Sequence, residues 1–187
     1  MDGEGWDAGG ESLIAESAEN GRREREEMRE VQVQIRRARI GDCAAIAELL
    51  YQSFVEFKPL YTDGGFAATT PSAALLETRM REGPLWVALS DGVIVGTVSA
   101  VRKGASAYIR GMAVLPATRG AGAGCRLLQE VEQWAAGEGL TRLFLSTTPF
   151  LASAIRRYEK SGFRRTDDGP HDLFGTPLFT MEKVIGT

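Results

Sequence analysis

The chain carries two cysteines and one histidine in 187 residues. Neither Cys43 nor Cys125 has a neighbour at a disulfide or zinc-ligand spacing, so a disulfide framework is excluded and no metal is expected. Free thiols fit a reducing compartment, and a cytoplasmic location is the expectation. Any run of about 18 apolar residues is missing as well, which removes a helical membrane span. The N-terminus is polar and acidic, without the basic-then-apolar pattern of a secretory leader. Basic stripes with interleaved aromatics are also lacking, so nucleic acid is not expected as a partner.

What is present is enough apolar material, 43% of residues, for one sizeable core and therefore one domain. The net charge of −3 hides a division, because residues 1–30 hold ten Asp/Glu against four Arg and the remaining 157 residues hold 15 acidic and 18 basic side chains. Residues 1–29 are rich in Gly, Glu and Arg and poor in β-branched side chains. They are expected to form a disordered acidic tail, since they cannot bury enough surface to offset their ordering entropy; Met28 stands as an alternative first residue. Such a tail could steer a cationic ligand.

The ordered domain is expected over residues 30–187. Val31, Val33 and Ile35 alternate with polar residues as a half-buried strand requires. Gly41-Asp42 is read as the cap of a helix whose stripe runs through Ile46, Leu49, Leu50, Phe54 and Phe57 before Pro59 stops it. YTDGGFAATT reads as a loop and PSAALLETRMREG as a second helix. LWVAL, Asp91-Gly92 and VIVGTVSAV read as a hairpin, followed by a strand over about 107–115. A helix after a glycine run, the strand TRLFLSTT, a helix over 151–160 and two last strands complete a mixed α/β sheet.

The glycine run is RGAGAG, Arg119 to Gly124, between a strand and a helix. A helix start exposes unpaired N–H groups and about half a positive charge. With every second side chain absent, a phosphate pair could lie against the amides of Gly120, Ala121, Gly122, Ala123, Gly124 and Cys125, with Arg119 adding a forked donor. A Walker loop is excluded, since Cys125-Arg126 stand where Lys-Ser/Thr is needed. The dinucleotide fingerprint fails because its third small residue falls on Cys125. Alone, the hexamer fits a ligand-free connection equally well. Gly111, inside a strand, marks either a bulge or a packing contact.

Arg119-x-x-Gly122-x-Gly124 after the strand MAVLP resembles the pyrophosphate loop of the GNAT acyltransferase superfamily. AIRRYEKSGF, Ala154 to Phe163, is similar to that family's late motif. Together they span about residues 107–165, and IRRARIGDCAAIAELL extends the resemblance to 33–184. It implies an α/β single-domain acyl-CoA N-acyltransferase fold: a mixed, mostly antiparallel sheet of about seven strands, splayed between strands four and five, with about four helices. It implies acetyl-CoA as cosubstrate, its pantetheine arm against the backbone of Met112, Ala113 and Val114 and beside Leu151 and Ala154.

It further implies acetyl transfer to a primary amine of a small molecule or peptide, with Tyr158 protonating the departing thiolate; a phenol of pKa near 10 suits that task. An amide at Val114 or Ala113 would hold the oxyanion. Two family residues are replaced: Tyr108 stands where a Glu base is common, and Leu151 where an Asn is common. Candidate bases are Tyr108, His171, Glu56 and Asp63. Phe57, Tyr61, Phe66 and Phe174 are candidates for the acceptor pocket, Cys125 is read as packing, and the reading leaves room for a homodimer. The alternatives are a non-catalytic CoA-binding sensor of the same fold and, behind it, a nucleotide-binding module.

Overall fold

The computed structural model describes residues 33–186. The expected acidic tail, and Val31 of the expected first strand, lie outside the described residues. Strand β1 (Gln34–Arg37) leads through a 3-10 turn to helix α1 (Cys43–Phe54). The Asp42 carboxylate does not cap α1. It reaches back to accept from the Arg39 N–H at 2.7 Å and from the Arg36 guanidinium at 2.7 and 3.0 Å, and Arg36 holds the Asp42 carboxyl below the usual carboxylate range. Ile46, Leu49 and Leu50 are buried, as the periodicity predicts. α1 ends at Phe54, five residues ahead of Pro59, because the chain tightens into the 3-10 turn Val55–Leu60 with the proline inside it.

The stretch read as a loop contains helix α2 (Asp63–Thr69), capped by the Thr62 hydroxyl, which accepts from the Gly65 N–H at 3.1 Å. Gly64 and Gly65 suggested a loop, yet they are there for close approach. A Cβ on Gly65 would collide with the Thr176 hydroxyl and the Leu173 carbonyl. Helix α3 (Ala73–Met80) follows, capped by Ser72.

Strands β2 (Leu85–Ser90), β3 (Val93–Lys103) and β4 (Ser106–Val114) form a meander. The Asp91-Gly92 turn has φ of 50° and 79°, the left-handed pair that a tight hairpin needs. Helix α4 (Ala123–Gly137), β5 (Arg142–Thr147), helix α5 (Ala152–Lys160) and strands β6 (Arg164–Arg165), β7 (His171–Leu173) and β8 (Thr176–Val184) complete the order. The expected two last strands are three, since the short β7 folds back on β8 alone. The sheet therefore has eight strands, in the order β1-β2-β3-β4-β5-β8-β6 with β7 on β8.

The central strands are apolar on both sides, which is why LWVAL shows no alternation. Trp86 and Ala88 face the core under α4 with Leu127, Leu128 and Val131. Leu85 and Val87 face the core under α1 and α3 with Ile46, Leu50 and Leu76. Helices thus cover both faces of the sheet.

One pairing is parallel, β4 with β5, and it stops early. Ser106–Ile109 run beside Arg142–Leu145, and beyond Ile109 the two strands part. β4 continues on β3 alone through a bulge, since two steps on β3 (Thr97 to Ser99) face three on β4 (Ala113 to Arg110). The extra residue lies beside Gly111, whose φ of 59° is the left-handed conformation a side chain resists. The splay between strands four and five and the bulge at Gly111 are both present.

Candidate active site

Where β4 and β5 part, a cavity of about 690 Å³ opens and runs from the glycine loop to the space under α3. At the loop end, Gly122 sits at φ 82° as the N-cap of α4, and a Cβ on Gly120 or Gly122 would meet no atom within 4 Å. The amides of Ala123 and Gly124, in the first turn, have no intrahelical acceptor, whereas Arg126 and Cys125 donate to the Gly122 carbonyl at 3.1 and 3.0 Å. Ala123 and Gly124 are buried but line the cavity, and free first-turn amides beside the open space at Gly120 and Gly122 make a cradle for an anionic group.

In the gap, Leu115 donates its N–H to Val95 on β3 at 2.9 Å. Ladder alternation then turns the N–H and C=O of Val114 to the other edge, towards the gap. The Val114 carbonyl receives Arg119 Nε at 3.4 Å, leaving its N–H as the free donor on that edge. Met112 and Ala113 line the same wall.

Tyr158 reaches the cavity from α5. Its side chain is buried, ring centroid 5.8 Å from Phe163. Burial pushes the phenol well above its usual value, against the opposing pull of the Arg157 cation, so the hydroxyl stays protonated at neutral pH. Leu151, at the start of α5, and Ala154 also line the cavity. Arg157 joins them with its Nη1 3.4 Å from Cys125 Sγ. It lay inside the late motif without a role assigned from sequence. Cys125 is exposed rather than packed, because the first turn of α4 holds it outward.

Several expected residues are elsewhere. His171, on β7, does not line the cavity; it is exposed, with Nε2 3.7 Å from Asp168. Asp63 is exposed in the first turn of α2. Glu56 is paired with Arg119 at 2.9 Å, and a second Arg119 nitrogen donates to the Ser53 carbonyl at 3.2 Å. The Arg119 fork expected to face the loop's ligand is therefore turned towards α1. Ala121 lies outside the lining. Of the aromatics, Phe57 and Tyr61 line the cavity, Phe66 is buried behind Tyr61 with centroids 6.0 Å apart, and Phe174 is 69% exposed at the β7–β8 turn.

Tyr108 does line the cavity, tilted against Phe144 at 5.1 Å. Phe150 does too, in edge contact with Tyr61 at 4.8 Å; nothing local in the sequence marked it. Burial pushes the Tyr61 phenol up, with the Thr148 and Thr69 hydroxyls pulling the other way. The Thr148 hydroxyl is near that phenol but outside hydrogen-bond geometry, and it remains buried without a partner, as does the Ser53 hydroxyl. Both residues line the cavity, although these two oxygens are themselves shut off from solvent.

The family model for the acetyltransferase (GNAT) family matches residues 45–163. The chain is 32% identical over 139 residues to the N-acetyltransferase YjgM of Escherichia coli (strain K12), covering 71% of this chain and 83% of that protein. It is 36% identical over 103 residues to an IAA acetyltransferase of Azospirillum brasilense, covering 53% of this chain and 66% of the relative's length. The fold is similar to the PaiA N-acetyltransferase of Thermoplasma acidophilum, solved with coenzyme A, at a TM-score of 0.71 and 19% identity over 82% of this chain and 99% of that one. With a matched model over most of the domain and a splayed sheet opening beside a glycine-capped helix, the chain belongs to the acetyltransferase (GNAT) family.

Proposed function

We propose that the protein transfers an acetyl group from acetyl-CoA to a primary amine by direct attack. The observation that carries the reading is a single cavity that joins the glycine-loop amides, the free Val114 N–H and the buried Tyr158 hydroxyl. Acetyl-CoA supplies an activated acyl carbon when bound. The Ala123 and Gly124 amides and Arg157 would hold its phosphates, and the edge of β4 from Met112 to Val114 would take the arm as an added strand.

The amine nitrogen forms the new C–N bond as the C–S bond breaks. The Val114 N–H meets the charge that develops on the acyl oxygen, since ladder alternation turns the Ala113 N–H back to β3. Tyr158 gives its proton to the thiolate. A phenol held above its usual pKa yields that proton only where the thiolate is desolvated as well, and the same burial acts on both.

Among the described residues that line the cavity there is no carboxylate and no histidine. The amine must therefore lose its proton to water or through Tyr108. For an alkylammonium of pKa about 10 this costs about 4 kcal/mol at pH 7. That same observation favours the second reading, a domain of this fold that binds CoA without turnover. Incubation with acetyl-CoA and an amine panel separates the two by release of free thiol: turnover that Tyr158→Phe suppresses supports transfer, and CoA binding with no thiol released removes it. Among the described residues no helix is long and apolar enough to cross a membrane, and we place the reaction in the cytoplasm, where the thiols stay reduced.

A further inference from the structure

We infer that the acceptor is an amine that also carries a carboxylate on an apolar or aromatic body, and that Arg79 and Arg110 read this carboxylate. The inference rests on the transfer reading above and deepens it. Four arginines and no acidic residue line the cavity. Two of them, Arg119 and Arg157, lie at the glycine-loop end. The others lie beyond the bulge: Arg110 is on β4, about 13 Å of strand from Val114, and Arg79 comes from α3.

Arg110 is an incompletely satisfied cation. Its Nη2 lies 2.7 Å from Glu82, which balances charge, and Nε and Nη2 are buried without an aligned hydrogen-bond acceptor, so a ligand reaches this guanidinium through Nη1. Arg79 is half-buried and gives one hydrogen bond, to the Ala68 carbonyl at 3.3 Å. Desolvation lowers its pKa first and the neighbouring Arg110 cation lowers it further, against Glu82 and Tyr108. Two neighbouring guanidinium groups with one carboxylate, Glu82, at ion-pair distance of Arg110 leave an excess of positive charge at a cavity without a lining carboxylate, a site that an anion relieves.

The walls beside them supply the rest of the acceptor's shape. Phe57 and Phe150 stack at 6.4 Å, and Tyr61 meets Phe150 edge-on. These rings suit an apolar or aromatic body. A polyamine would find four arginines against two paired carboxylates, Glu82 and Glu56, that stand outside the lining, which disfavours polycationic acceptors.

The test is titration calorimetry of the CoA-saturated full-length protein with three matched pairs: L-phenylalanine and phenethylamine, L-leucine and isopentylamine, 4-aminobenzoate and aniline. Spermidine is included as a polycation. At least one carboxylate member is expected to bind about tenfold or more tightly than its partner, a preference that Arg79→Gln and Arg110→Gln reduce to within about threefold and that the corresponding Lys variants partly restore. CoA affinity and melting temperature are measured for each variant, and where one fails to fold the other decides. Equal or weaker binding of the carboxylate member in all three pairs, spermidine binding more tightly than any carboxylate, or a preference that survives in both Gln variants overturns the inference. Thiol release from acetyl-CoA tells the two readings apart. Carboxylate preference without thiol release upholds the inference and removes transfer, whereas turnover favouring spermidine upholds transfer and removes the inference.

Discussion

The two ends of the cavity are built differently. The glycine-loop end is mostly main chain from one short segment, Gly120 and Gly122 to Gly124, with Arg119 and Arg157 beside it, set by a left-handed Gly122 and the first turn of α4. The far end is side chains gathered from many elements: Phe57 after α1, Tyr61 before α2, Arg79 on α3, Arg110 on β4, Phe150 between β5 and α5. A backbone cradle depends on few side chains, so it tolerates change around it but not loss of its glycines. A side-chain pocket can be re-specified one residue at a time. On the proposed reading the cofactor would be held at the backbone end and the acceptor at the side-chain end.

Tyr158 lines the same cavity, and its loss has the largest expected effect. Tyr158→Phe should lower kcat about 100-fold while leaving the KM for acetyl-CoA within about threefold, since proton donation is removed and not binding. Steady-state kinetics with either substrate varied checks the split. A KM effect of the same size would mean that the ring holds the arm instead.

A break confined to the loop end comes next. Gly122→Asp places a side chain at φ 82°, costs about 1–2 kcal/mol of stability from the left-handed strain, and sets a carboxylate beside the phosphate amides. CoA affinity should fall about 10- to 100-fold by the loss of one to two helix-end contacts, with acceptor affinity unchanged. Calorimetry with each ligand separately measures both.

The pH dependence sharpens the contrast from the other side. With no lining carboxylate or histidine, kcat/KM should rise about tenfold per pH unit until the pKa of the acceptor amine is passed. Tyr158 is held above its ordinary pKa, so its protonated form persists as pH rises and no descending limb should appear below about pH 10. A rate profile with two amines of different pKa checks this, the break moving with the amine.

The smallest effect belongs to the Glu56–Arg119 pair, whose side chains are about half exposed. Glu56→Ala frees the Arg119 fork to turn towards the loop. CoA should bind about two- to fivefold more tightly at low ionic strength, an advantage that disappears in about 1 M salt.

How much of this was legible follows the same division. Gly111 and RGAGAG could be read because a backbone conformation that excludes side chains leaves its mark at the position itself. The stripe of α1 could be read because burial on one face imposes a period of 3.6 residues. Helix α2 was missed because Gly64 and Gly65 answer to Phe174, Leu173 and Thr176, more than 100 residues away, and no local pattern contains that information. Strand β7 was missed because three residues paired only with β8 carry too little alternation. His171 was given a catalytic role for its chemistry, while position in space turns it towards Asp168. Arg79, Arg110 and Phe150 had no motif to announce them.

By itself, then, the sequence determined the strand and helix order except for α2 and β7, and marked Gly111 and the glycine run as positions of unusual backbone, because local sterics and periodicity act over a few residues and leave their record there. Only the tertiary structure decided that Arg119 turns to Glu56, that His171 stays outside, and that two arginines and a set of rings from distant segments share one cavity. Side-chain convergence depends on how elements pack across the sheet, and that geometry is written in no single stretch of chain.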